Sequence, residues 1–186
     1  ESTGGRAPQQ QELPNFMLNY LLLDGNPTPI PEGMRKIIEE IYEETGVADS
    51  NKSTLFQLGI ENARQLKRAD YLMPVGDGFN FLLSGAACVE WSAASATQLF
   101  NPTSKQWSQH LLHSLNIPAK VFPNLVDPGT CLKPLRPEIA AATGVEETQI
   151  IATCSNDIAA ALAYLPVSEA EDWAFIKLGR NTTIGA

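Results

Sequence analysis

Cys154-Ser155-Asn156-Asp157 forms a polar corner between two apolar runs. Ile150-Ile151-Ala152 leads into it, and an unbroken small-apolar run from Ile158 to Leu162 follows. Length and β-branching predict a buried strand for the first run, and the helix propensity of alanine predicts a helix for the second. Asp157 then sits where strand passes into helix. In open α/β sheets ligands bind at such corners, at the carboxyl end of a strand. The partial positive charge of a helix N-terminus also favours a carboxylate there. The plainer alternative is a cap, with Asn156 or Asp157 accepting the free N–H groups of the first turn. Taken alone, the stretch reads as a cap.

Few other residues offer chemistry. Cys88, Cys131 and Cys154 stand far apart, with no CxxC pair. An odd number of scattered cysteines fits reduced thiols in a cytoplasmic protein better than a disulfide framework. His110 and His113 lie three apart on an expected helix, but no cysteine or carboxylate cluster accompanies them, so no metal site is expected. A net charge of -8 with scattered basic residues argues against nucleic acid as partner. Arg64, Lys67 and Arg68 cluster loosely, as a solvated helix face would. No run approaches a membrane span, and the first residues lack a basic-then-apolar leader pattern. No Walker loop or GxGxxG is present either.

The elements that must position the corner follow from the rest of the chain. Its 186 residues, 44% hydrophobic and 18% charged, suffice for one soluble domain with a core, or most of one. Residues 1–15 are polar and rich in Gly, Pro and Gln, which predicts disorder. Phe16–Leu23 reads as a strand ended by the turn cluster Asp24-Gly25-Asn26-Pro27, with the loop continuing to Gly33. Met34–Thr45 is an amphipathic helix stopped by Gly46. Ser53 or Thr54 caps a second helix running through Leu55, Leu58 and Leu66. Tyr71–Pro74 is strand-like, Phe79–Leu83 a short helix preceded by Asp77, and Ala87–Trp91 extended. Helices are expected at Ala93–Phe100, Trp107–Leu115 and Pro137–Thr143, with a turn at Asp127–Thr130 and a last strand at Trp173–Leu178. Short helices between late strands suggest an α/β fold.

Several pieces, in order across residues 42–186, resemble the FGGY family of carbohydrate kinases and most of all its rhamnulokinase branch. Ser53–Leu58 resembles the branch's N-T-L-Y-Q-L, and DGFNFLLSG at Asp77–Gly85 resembles D-Y-L-x-Y-x-L-T-G. VEWSAASATQLFN at Val89–Asn101 is similar to E-Y-T-N-A-S-T-T-Q-L-L-N, with Trp107 at the expected distance. FPNLVDPGT at Phe122–Thr130 matches F-P-x-I-V-x-P-G-T, and CSNDIAAA at Cys154–Ala161 resembles S-H-D-T-A-S-A. FIKLG at Phe175–Gly179 resembles the strand that reaches the nucleotide.

The resemblance implies a fold and a chemistry. The fold is α/β, part of the ribonuclease-H-like, actin-like ATPase lobe of a two-lobed sugar kinase, occupying residues 16–186. The first phosphate-binding hairpin, with its Asp-x-Gly-Thr turn, and the C-terminal lobe are absent from this sequence, so the isolated chain is expected to be inactive and poorly soluble. The chemistry is transfer of the γ-phosphoryl group of ATP, with Mg2+, to a ketose hydroxyl, L-rhamnulose first among candidates. Asp157 takes the role of general base by motif position, Asn156 that of a sugar contact, and Gly179 with Arg180 that of the nucleotide corner. Asn156 stands where the branch has His, and Arg180 where it has a hydroxyl side chain. The alternative is a degenerate, non-catalytic homologue acting as a binding or interaction module.

Overall fold

A computed structural model describes residues 32–47, 53–60, 63–145, 147–168, 172–179 and 182–185. The expected disordered segment at residues 1–15, the strand Phe16–Leu23, its turn, and Arg180 lie outside the described residues.

Helix α1, Glu32–Thr45, begins two residues before the expected start and ends where Gly46, at φ +68°, donates its N–H to the Tyr42 carbonyl at 2.7 Å. The leucine-rich stretch expected as one helix is helical where it is described, as α2 at Thr54–Ile60 and α3 at Ala63–Arg68, and residues 61–62 between them lie outside the described residues. Tyr71–Pro74 forms no strand, although the Leu72 N–H donates to the Val121 carbonyl at 2.7 Å. Helix α4, Val75–Ser84, is longer than expected and takes Asp77 into its first turn. It stops at Gly85, whose φ of +73° is the left-handed cap conformation that glycine adopts without steric cost.

Strand β1, Cys88–Glu90, pairs in parallel with β4, Asn124–Val126, placing Val89 opposite Leu125 and Glu90 opposite Val126. Between them the alanine-rich run makes only a short helix, α5, Trp91–Ser95. Gln98 adopts φ +58°, which ends helical geometry, and Phe100 is taken into a hairpin. That hairpin pairs β2, Phe100–Asn101, with β3, Gln106–Trp107. Asn101 Oδ1 accepts the N–H groups of Thr103 and Ser104, both at 2.9 Å, so Asn101-Pro102 opens a turn rather than stopping a helix. Trp107 consequently lies on a strand, and the following helix α6 is limited to Gln109–Ser114.

The core gathers where these elements meet. Leu55, Val89, Leu99, Leu112 and Val121 are almost fully enclosed, with Ile41 of α1 closing one side. Trp107 stacks tilted on Phe122, ring centroids 4.8 Å apart, and its indole N–H donates to the Pro123 carbonyl at 2.8 Å. Ser108 caps α6 and donates to Glu44 Oε1 at 2.6 Å, tying α1 to the hairpin. That hydrogen bond holds the Glu44 carboxyl below its usual range.

The C-terminal elements lie outside this core. Strand β5, Cys131–Pro134, pairs antiparallel with β6, Gln149–Ile151, and α7, Pro137–Thr143, lies between them in sequence with its left-handed stop at Gly144. Helix α8 covers Asp157–Ala163. Strand β7, Phe175–Lys177, pairs antiparallel with β8, Thr183–Gly185. Neither α7 nor α8 holds a buried residue.

Candidate functional site

The polar corner forms at the sequence position expected, after β6 and before α8, but β6 runs antiparallel to its partner β5 and is not the buried strand expected, since Ile151 is exposed. Ala152, fully buried, anchors its approach. Its N–H donates to the Thr130 carbonyl at 2.9 Å, and its carbonyl accepts the Gly129 N–H at 2.7 Å. The chain then leaves the ladder. Asn156 is extended, at φ -94° and ψ 134°, and its Oδ1 accepts the N–H groups of Ile158 at 3.0 Å and Ala159 at 3.4 Å.

Asn156 is therefore the cap of α8, and Asp157 is its first residue. The Asp157 side chain is exposed and takes no hydrogen bond or ion pair among the described residues. A cleft of about 310 Å³ opens beside the corner, with Ser155 and Asn156 on its rim among Thr54, Met73, Thr97 and Phe122. Gly179 is exposed, in the stretch between β7 and β8, and nothing described joins it to the corner.

Two carboxylates that composition and spacing did not single out lie beneath the corner. Glu90, the last residue of β1, is completely buried and caps α5. Its Oε1 accepts the Ser92 N–H at 2.9 Å, and its Oε2 accepts the Ala93 N–H at 3.4 Å and the Ser92 hydroxyl. The same Oε2 also accepts the N–H of Ser155, 65 residues further on, at 3.0 Å. Ser92 Oγ in turn accepts the Asn156 N–H at 3.1 Å. Asp77 stands behind Glu90 and accepts its backbone N–H on Oδ1 at 3.3 Å, while Asp77 Oδ2 is buried without a partner. Burial, helped by the nearby Glu90 charge, pushes the Asp77 carboxyl up to about 6 against the lowering effect of that one backbone hydrogen bond. Burial likewise raises the Cys88 thiol.

Glutamate is not among the residues favoured at an N-cap, so no local pattern marks Glu90 as one. Its reach to Ser155 had no local signal at all. Nor does the cluster form a metal cage: among the described residues no three His, Cys, Asp or Glu side chains converge.

Residues 29–163 match the N-terminal domain of the FGGY family of carbohydrate kinases. This chain belongs to that family. The rhamnulokinase of Enterococcus faecalis is 34% identical over 148 residues, which are 80% of this chain and 30% of the relative. The rhamnulokinase of Bacillus subtilis is 29% identical over 145 residues, again 30% of its length. The FGGY chain thus spans about a third or less of the length of these curated relatives. Its fold is that of solved sugar kinases. Xylulose kinase from Lactobacillus acidophilus superposes with a TM-score of 0.60 at 20% identity, over 75% of this chain and 28% of that one. Glycerol kinase from Plasmodium falciparum gives 0.52 at 15% identity, over 74% and 27%. The described elements are accordingly part of an actin-like ATPase lobe, as the motif resemblance implied.

Proposed function

We propose that the FGGY chain is the N-terminal-lobe portion of an enzyme that phosphorylates a ketose with ATP, L-rhamnulose in the first instance, with Asp157 as general base. Residues 16–186 are then the partial lobe, completed by a second lobe of the same protein. The observation that carries the reading is the division of labour at the corner. Asn156 satisfies the helix terminus, so the Asp157 carboxyl is left exposed and unpartnered at the point where a substrate hydroxyl would be presented. Family membership supports the phosphoryl-transfer chemistry, and the rhamnulokinase relatives support the choice of sugar.

A hydroxyl is a poor nucleophile at neutral pH, and a positioned carboxylate can take its proton as the new bond to phosphorus forms. Asn156 keeps its Nδ2 donors for the sugar while Oδ1 caps the helix. Gly179 leaves room for backbone to approach a phosphate, and Arg180 supplies a guanidinium that can pair with one. Mg2+ carried on the nucleotide phosphates would neutralise the charge developing there, and such a site would ask only one or two carboxylates of the protein. No described helix is long and apolar enough to cross a membrane, which accords with a cytoplasmic enzyme using cellular ATP.

The test is ATP-dependent phosphorylation of a ketose panel by the complete protein and by its Asp157→Asn variant. A loss of about 10²–10⁴-fold on Asp157→Asn, with the melting temperature retained, is expected for a general base. A well-folded complete protein inactive on every ketose would replace this reading with the non-catalytic binding module.

A further inference from the structure

Glu90 is longer than a helix cap requires. Capping α5 asks only for an oxygen within reach of the Ser92 and Ala93 N–H groups, which Ser, Thr, Asp or Asn would provide. The glutamate instead lies fully buried at the end of β1 and carries one oxygen across to the Ser155 N–H, 65 residues away in sequence. A buried carboxylate is costly unless its lone pairs are satisfied. Here the two oxygens accept from Ser92 N–H, Ser92 Oγ, Ala93 N–H and Ser155 N–H. Ser92 then uses its own oxygen to accept the next amide along, that of Asn156.

The consequence is a clamp on two consecutive backbone amides immediately before Asp157. Upstream, Ala152 is held by Thr130 and Gly129. Only Thr153 and Cys154 intervene between that anchor and the clamp, and Asn156 downstream is fixed by its own capping bonds. The direction in which Asp157 leaves the corner is therefore set by α5, an element it does not touch through its side chain. We propose that Glu90, with Ser92 as its relay, is a positioning residue for Asp157. This rests on the reading of Asp157 as general base. The clamp holds the carboxylate at the distance and angle that proton removal needs, where misplacement by an ångström can cost about 10²-fold in rate.

Glu90→Gln puts an amide NH2 where one of the accepting oxygens stands, facing groups that are themselves donors. Ser92→Ala removes the acceptor for the Asn156 N–H and leaves the Glu90 cap in place, so it carries the test if Glu90→Gln folds poorly. Each is made in the complete protein, alone and combined with Asp157→Asn. Turnover is measured on the ketose panel, together with hydrogen exchange at the Ser155 and Asn156 amides. The expected result is faster exchange at those amides and a kcat lower by about ten- to a hundredfold, with KM for ATP held within about twofold. In the Asp157→Asn background the same changes move the residual rate by less than about twofold, because the group they position has gone. Equal losses in both backgrounds would assign Glu90 a purely structural role and overturn the proposal. So would unchanged kcat alongside lost amide protection. Asp157→Asn with full activity is a separate outcome: it removes the base reading itself, and with it any role for the clamp in catalysis.

Discussion

At the scale of single residues, Asp77 is the group most at odds with its surroundings. It is 1% exposed, one oxygen has no partner, and its neighbour is another buried carboxylate, Glu90. Its folded pKa of about 6 lies above the ordinary value of 3.8. Between those values the folded protein retains a proton that the unfolded chain has released. The contribution of Asp77 to stability is thus fully present below pH 3.8 and is lost as pH rises through about 6. Asp77→Asn should flatten the dependence of stability on pH across this window and leave the mutant relatively more stable at pH 7. Urea midpoints for both proteins at pH 4, 5, 6 and 7 check this, and parallel curves would refute it.

At the scale of elements, the capping of α8 separates two roles that the sequence left open between Asn156 and Asp157. Only Asn156 has the extended backbone and the Oδ1 geometry of a cap. Asn156→Ala should therefore cost about 1 kcal/mol of stability, the usual effect of losing an N-cap. Asp157→Asn should change stability by only a few tenths, through the weak interaction with the helix terminus. Denaturant melts of the two variants distinguish the roles, and a larger loss for Asp157→Asn would reverse the assignment. The short helices elsewhere show the same competition between local propensity and pairing. The run after Ala93 was expected to stay helical to Phe100, but Phe100 pairs with Trp107 and Gln98 turns the backbone to positive φ. Gln98 can hold that conformation because its side chain is buried and bonded, accepting from Ser53 Oγ and donating to the Val47 carbonyl at 3.4 Å.

At the scale of the whole molecule, the described residues show an uneven surface. The core around β1, α5 and α6 is closed, whereas Val75, Phe79 and Leu82 along α4 are 81%, 62% and 60% exposed. The paired strands β7 and β8 expose Ile176 at 64% and Ile184 at 73%. Apolar surface of this kind, beside ladders that have only two strands among the described residues, favours association with other copies. The isolated chain is expected to sediment as a concentration-dependent mixture of species. A single monomeric boundary across a tenfold concentration range would count against this.

How much was legible in advance depended on the range of the interaction involved. Pro137–Thr143 was bounded correctly because its Pro start and Gly stop are local signals, and the Asp157 corner because strand and helix propensities change abruptly there. The run Ala93–Phe100 was not, since its pairing of Phe100 with Trp107 is a contact outside the run and left no such punctuation. The sequence by itself determined the family motifs, the strand-to-helix corner and the identity of the residues standing at it. Tertiary structure decided which of Asn156 and Asp157 caps the helix, that Asp77 is buried, and that Glu90 reaches Ser155. The physical reason is that propensity and capping act over a few neighbouring residues. The burial of a carboxylate, and the satisfaction of its oxygens by an amide 65 positions away, exist only once the chain has closed around them.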